Sequence, residues 1–210
     1  HDIGNSLGAS QVQLNLVSVG FSLGLAGTVL YLGAIGDRYG RSMMLLLGTS
    51  LAIPTSMAAA WSGDVSMLVI SRILGGVAAG MAFPTTLALI TALWSGKARV
   101  GAIAAWSAVG GSMAALGPLA AGLCLAHFWW GSCFLISIPL AIVAIVLSAR
   151  FVPKHVNEGT DPVDHIGGIS SVIGVMALVL AINFAPSPGQ GSVALAAGLI
   201  ALLALIVFFA

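Results

Sequence analysis

Apolar residues in this chain run on in long blocks. Seven stretches, 12–35, 43–61, 65–93, 100–126, 129–149, 166–185 and 192–210, hold a single charged side chain among them, Arg72. Each is close to the roughly 20 residues that cross the hydrocarbon core of a bilayer. A backbone amide left unpaired in that medium is prohibitive, so each stretch is expected to be a helix and not an open strand. The connections are short, with one exception. Residues 150–165, "RFVPKHVNEGTDPVDH", hold Pro153, Pro162 and five charges, and read as a linker between two groups of helices.

Composition agrees with this pattern. Of 210 residues only seven are Lys or Arg and six Asp or Glu, while 59% are apolar. A soluble domain carries about 25% charged residues, so this surface is built for lipid. The fold class expected is an all-α integral membrane bundle with seven transmembrane helices. His1 is no initiator Met and the last apolar run stops abruptly, so the chain is read as an internal piece of a longer protein.

Placement of charge sets the orientation. Arg38 and Arg41 lie in the first connection, Lys97 and Arg99 in the third, Arg150 and Lys154 in the fifth; the second, fourth and sixth contain no Lys or Arg. Such alternation places the odd connections in the cytoplasm. Trp61, Trp94, Trp129 and Trp130 fall at segment ends, where amphipathic rings settle at the membrane interface. Trp106 lies inside a segment, as a packing residue or as a wall for a flat aromatic ligand. The sequence before the first segment, "HDIGNSLGASQ", reads as an outer loop.

Three groups of residues are candidates for chemistry. Arg72 lies eight residues past Asp64, about 12 Å into the membrane at 1.5 Å per residue. It either faces a polar cavity or stretches back to the outer interface. No Asp or Glu lies in any of the seven segments, so a carboxylate partner at that depth must come from elsewhere in the protein. "GAIGDRYGRSMM", residues 33–44, concentrates Asp37, Arg38 and Arg41 with Gly33, Gly36 and Gly40 in one corner. "LGPLAAG" places Pro118 between Gly117 and Gly122; a proline inside a helix removes one hydrogen bond, and the glycines admit a close neighbour. Small-xxx-small pairs recur at Gly20/Gly24 and Gly76/Gly80, the spacing of helix packing. Cys124 and Cys133 flank a hairpin tip, and whether they pair is open. No metal-ligand spacing, phosphate-binding glycine loop or nucleophile–His–acid set occurs, which argues against an enzyme and against a bound cofactor.

The motifs resemble the major facilitator superfamily, specifically its drug:proton antiporters with fourteen transmembrane helices. "GAIGDRYGR" is similar to the signature G-x-x-x-D-[RK]-x-G-[RK]-[RK] between helices two and three, with Ser42 at the second basic position. "LVISRILGGVAAG" resembles the helix-four motif around an embedded arginine, with Gly75 in place of a common Gln. "LGPLAAG" resembles the antiporter motif of helix five; Ala121 replaces one of its glycines, and Met113 stands where the first would fall. "HFWWGSCFLISIPLAI" resembles the start of helix six.

That resemblance implies three parts: 1–150 as helices two to six of the amino-terminal six-helix bundle, 151–165 as a cytoplasmic linker, and 166–210 as two additional helices. It also implies proton-coupled efflux of drugs or amphipathic cations by alternating access. The energy source is then the proton gradient, and the partners are a small-molecule substrate, protons and the lipid of a cytoplasmic membrane, with no nucleic acid. Asp37 and Arg41, supported by Gly33, Arg38 and Gly40, would latch the cytoplasmic helix ends. Arg72 would tune proton exchange, and Gly117, Pro118 and Gly122 would bend helix five. The alternatives are a metabolite transporter of the same fold and a non-transporting membrane scaffold or sensor.

Overall fold

The computed structural model describes residues 2–154, 159, 162–187 and 189–209. His1 and, within the linker, His155, Glu158 and Asp161 lie outside the described residues. Among the described residues the chain forms helices α1 (Asp2–Leu7), α2 (Gln11–Tyr39), α3 (Arg41–Ala60), α4 (Val65–Leu93), α5 (Gly96–His127), α6 (Ser132–Leu135), α7 (Ser137–Phe151), α8 (His165–Phe184) and α9 (Gly191–Phe209). With α6 and α7 taken as one run, seven helices are long and apolar enough to cross a membrane.

Side-chain caps start α2, α4 and α8. Ser10 and Gln13 form a capping box at α2, Ser10 accepting from the Gln13 amide and Gln13 from the Ser10 amide. The Asp64 carboxylate accepts from Met67 N at 2.8 Å, and that of Asp164 from Gly167 N at 2.9 Å, so α4 and α8 both begin on an acidic cap. At α5 the basic first turn opposes the helix dipole. Arg99 turns back instead, and its Nε donates to the carbonyl of Trp94, the last cap of α4, at 2.8 Å.

Several ends differ from those expected. The first segment continues to Tyr39 instead of stopping at 35, and the third corner tightens because α5 already begins at Gly96. Lys97, Ala98 and Arg99 favour helix and extend α5 backward, whereas α2 runs on through Gly36 and Asp37, both poor helix formers, and closes with Gly40 N donating to Gly36 O at 3.0 Å. Trp129 and Trp130, expected inside the fifth span, form the turn before it; that turn's amides pair locally, Ser132 N to Trp129 O and Cys133 N to Trp130 O. The expected outer loop at the start contains the short α1.

The interior holds hydroxyl residues beside apolar ones such as Leu68, Met44 and Leu89, and the exposed surface is apolar as well. Ser42, Thr55, Ser71, Thr85, Ser170 and Ser171 are buried, while Leu195, Leu199, Leu203 and Phe209 are exposed. Lipid tails are as apolar as leucine, so little is gained by hiding large side chains; close backbone approach drives association instead. The buried hydroxyls return to their own helix: Thr55 donates to Leu51 O at 2.9 Å, Ser71 to Met67 O at 2.7 Å and Thr85 to Met81 O at 2.9 Å.

Helix α4 is the centre of the assembly, packed on α2 and α3, while α7 lies against α3 and α8 against both α2 and α9. The two small-xxx-small pairs meet each other. A Cβ on Gly24 would strike the carbonyl oxygen of Ile73, and one on Gly76 that of Phe21. On the other side of α4, a Cβ on Gly48 of α3 would sit 2.6 Å from the Ala78 carbonyl oxygen. Helix α5 is different: it touches only α4 and α6 to any extent, and none of its residues is buried.

Candidate functional site

The cytoplasmic corner is tighter than a loop. Gly40 alone separates α2 from α3, and its φ of 130° lies where a side chain is strained. Asp37 and Arg41 therefore stand on the last turn of one helix and the first of the next, and Arg41 Nε donates to Asp37 Oδ1 at 2.6 Å. Each charge opposes the dipole of its own helix but sits beside the end of the other that favours it. Arg41 is the better buried of the pair, with 17% of its side chain exposed against 54% for Asp37, so the guanidinium is the fixed member. Gly36 lets the corner close, since a Cβ there would press on Thr85 and Met44; Gly33 lies near Pro84.

Arg38 does not join that pair. Its Nη1 donates to the carbonyl of Gly159 at 3.1 Å, and Gly159 N donates to the carbonyl of Asp37 at 2.7 Å. One linker residue thus ties back onto the end of α2 through two bonds. Farther along, Tyr31 of α2 meets α8: its hydroxyl lies 2.9 Å from His165 Nδ1, and its ring fills the space over Gly168.

Arg72 lines a cavity of about 340 Å³ between α2, α3, α4 and the α6–α7 run. Its guanidinium carbon lies 5.0 Å from the ring centre of Phe21 and 5.5 Å from that of Phe134. Ser56, Thr55, Ser71, Ser137 and Cys133 supply the polar part of the wall, with Ser56 and Ser137 hydroxyls 3.0 Å apart. Among the described residues the guanidinium has no carboxylate partner, since the one ion pair is Asp37–Arg41. Holding Arg at this depth costs about 2.5–3.5 kcal/mol on insertion scales. Two desolvated cation–π contacts, each worth on the order of 1–2 kcal/mol, offset most of that. The arginine is thus held inside the bundle, in an amphipathic cavity.

A second, larger cavity of about 1120 Å³ opens between α4 and α5. Trp106 forms part of its wall, its Nε1 donating to Thr86 Oγ1 at 3.1 Å and its ring 5.3 Å from that of Phe83. Trp94, Val109 and Gly110 complete the apolar lining. Ala79 and Ala82 of α4 border both cavities, so α4 is their common wall. Pro118 lies within α5, and no described residue approaches Gly117 or Gly122 closely enough to meet an added Cβ. The structure does not bring this motif together with Arg72 or with the corner.

The family model for the Major Facilitator Superfamily matches residues 2–210. The chain belongs to the Major Facilitator Superfamily. It is 41% identical over 175 residues to the methyl viologen resistance protein SmvA of Salmonella typhimurium, covering 83% of this chain and 35% of that protein. The multidrug efflux pump LfrA of Mycolicibacterium smegmatis is 35% identical over 190 residues, 90% of this chain and 38% of its own length. A triacylglyceride transporter of Mycobacteroides abscessus is 35% identical over 178 residues, 84% of this chain and 34% of its own length. The chain spans about a third of the length of these curated relatives. Major facilitator proteins are multi-pass membrane transporters and not enzymes, and the seven long apolar helices are the matching architecture.

In this major facilitator chain, sequence reasoning found the arginine but not its aromatic neighbours. Phe21 and Phe134 carry no local signal, because aromatic residues are common in membrane helices. Gly159 was equally invisible, since its role rests on backbone atoms. Thr86 had a faint signal, as a hydroxyl one turn from Phe83 on the helix facing Trp106.

Proposed function

We propose that the protein containing this chain exports amphipathic or cationic drugs in exchange for protons by alternating access. In this reading α2–α7 are helices two to six of an amino-terminal bundle, α8–α9 are two added helices, and the proton gradient is the energy source. The observation that carries it is Arg72: a cation at membrane depth, over the rings of Phe21 and Phe134, lining a cavity and unpaired with any carboxylate among the described residues. A protonatable carboxylate on a neighbouring part of the protein that enters this cavity would be held ionised by the guanidinium, and would lose that hold on protonation. The names of SmvA and LfrA support the drug class. Proton-gradient-dependent ethidium uptake into everted vesicles tests the whole reading; uptake unaffected by a protonophore removes the proton from it.

Asp37 and Arg41 act as the latch at the cytoplasmic ends, with Gly33, Arg38 and Gly40 giving the corner its tightness. A half-exposed pair of this kind is worth up to about 1 kcal/mol, which biases a two-state equilibrium by up to about fivefold. Asp37→Asn is therefore expected to slow efflux by up to about fivefold while moving thermal stability by less than about 1 kcal/mol. Equal efflux by the Asn variant and the parent reduces the pair to a topological anchor. Gly117, Pro118 and Gly122 set the bend of α5.

The cleft of Trp106 and Phe83 is the proposed seat for the flat part of a substrate, because aromatic faces attract cations and no fixed positive charge lines it. Trp106→Ala is expected to raise the ethidium concentration for half-maximal transport several-fold, on the order of 1 kcal/mol for one lost aromatic contact. An unchanged concentration dependence assigns Trp106 to packing alone. A lipid substrate is the second reading, favoured by the names of the triacylglyceride transporters among the relatives. Transfer of a labelled triacylglyceride between vesicles, with no ethidium transport, would select it.

A further inference from the structure

Helix α5 ends at His127 and the chain turns through Phe128–Gly131 into α6. The two cysteines lie on either side of that turn, Cys124 one turn before the end of α5 and Cys133 in α6. Cys133 Sγ donates to the carbonyl oxygen of Ala121 at 3.5 Å. Ala121 is three residues before Cys124, so its carbonyl points along the helix toward the Cys124 side chain. Both cysteines are free and part-exposed, and no group of three metal-ligating side chains occurs among the described residues.

The α6 side of this turn is anchored. Trp129 packs edge-on against Trp61 at 5.9 Å, and Gly131 leaves no room for a side chain against the Ala60 carbonyl. The α5 side is not, because no residue of α5 is buried. A covalent link here would tie the least supported helix to a fixed point. Alternation of positive charge puts this turn on the outer face, where disulfides persist.

We propose that Cys124 and Cys133 are a redox-reactive dithiol that closes to a disulfide on the outer face and clamps α5 to the anchored turn. The oxidant is a small-molecule or protein disulfide outside the membrane. One cysteine, as thiolate, attacks a sulfur of that disulfide; a mixed disulfide forms and one oxidant thiolate leaves. The second cysteine thiolate then attacks the first cysteine's sulfur, the Cys124–Cys133 bond forms, and the other oxidant thiolate leaves. Two thiols are oxidised and one disulfide reduced, and the two cysteine protons end on the two oxidant thiols. The inference depends on the orientation of the chain but on no transport activity.

The test uses the full-length protein in intact cells, treated with membrane-impermeant oxidised glutathione and then with an impermeant maleimide. Labelling of both cysteines is expected to fall to background, and the peptide joining residues 124 and 133 to be lighter by two hydrogen atoms. Dithiothreitol restores both, and hydrogen exchange at residues 119–127 slows only in the oxidised protein. Cys124→Ser and Cys133→Ser each keep one thiol that forms no internal link, which separates linkage from mere burial. Persistent labelling of both cysteines after oxidation, or loss of label with no lighter linked peptide, overturns the proposal. Closure by a permeant oxidant alone overturns the outer location and with it the assigned oxidant.

Discussion

Arg72→Ala in the full-length protein is expected to lower proton-driven efflux by at least about tenfold while membrane insertion and yield stay near those of the parent. The two halves of this expectation have separate causes. Removing a guanidinium from membrane depth relieves a cost of about 2.5–3.5 kcal/mol, which balances the lost contacts with Phe21 and Phe134, so the fold is not penalised. Removing the one cation of the cavity takes away the group that favours an ionised carboxylate there, and a tenfold change in coupling needs only about 1.4 kcal/mol. Arg72→Lys sharpens the reading. It keeps the charge but loses the planar guanidinium held over the Phe21 and Phe134 rings, so intermediate efflux is expected. Ethidium export by the Ala variant at the parental rate would leave Arg72 as a structural residue. Wild-type export by Lys with none by Ala would assign the role to charge without stacking.

Gly76→Ala is expected to damage the fold more than any other single methyl group added along the membrane helices. Its Cβ would collide with the carbonyl oxygen of Phe21 and sit 2.7 Å from Leu25 N and 3.0 Å from Gly24 Cα, all of them backbone atoms that no rotamer change can move aside. Overpacking ordinarily costs about 1–3 kcal/mol, and a backbone-on-backbone clash falls at the top of that range. Gly101→Ala is the control. It makes the same chemical change on α5, where nothing lies within 4 Å, and helix propensity predicts a gain of up to about 1 kcal/mol. Thermal unfolding in detergent, followed by tryptophan fluorescence, compares the two. Equal melting temperatures would mean that α2 and α4 are not held by glycine contact.

The same glycines show how much of the molecule was legible in advance. Their four-residue spacing marks a packing face, but spacing is a property of one helix and names no partner; that Gly24 faces Gly76 emerges only when α2 and α4 are side by side. Helix α4 was expected at 65–93 and occupies Val65–Leu93, because an acidic cap at Asp64 and a tryptophan at 94 punctuate both ends. The first corner was set too wide, since polar residues after an apolar run were taken as loop while the backbone remained helical to Tyr39. The arginine stood out because charge at membrane depth is costly wherever it occurs. Its neighbours did not, as Phe21 and Phe134 lie far from it in the chain and aromatic residues there cost nothing to explain.

Sequence alone determined that this is a lipid-embedded helical chain, where its seven spans lie, which connections carry positive charge, and that one arginine must be sheltered. Those follow from transfer of single side chains and single backbone groups between water and lipid, which needs no knowledge of neighbours. Tertiary structure decided the rest: two aromatic rings shelter the arginine, a residue of the linker ties onto the end of α2, α4 separates two cavities, and the Cys133 thiol reaches back across a turn to the Ala121 carbonyl of α5. These are relations between helices, and in a membrane they are settled by how closely backbones can approach, a quantity that exists only once the helices are assembled.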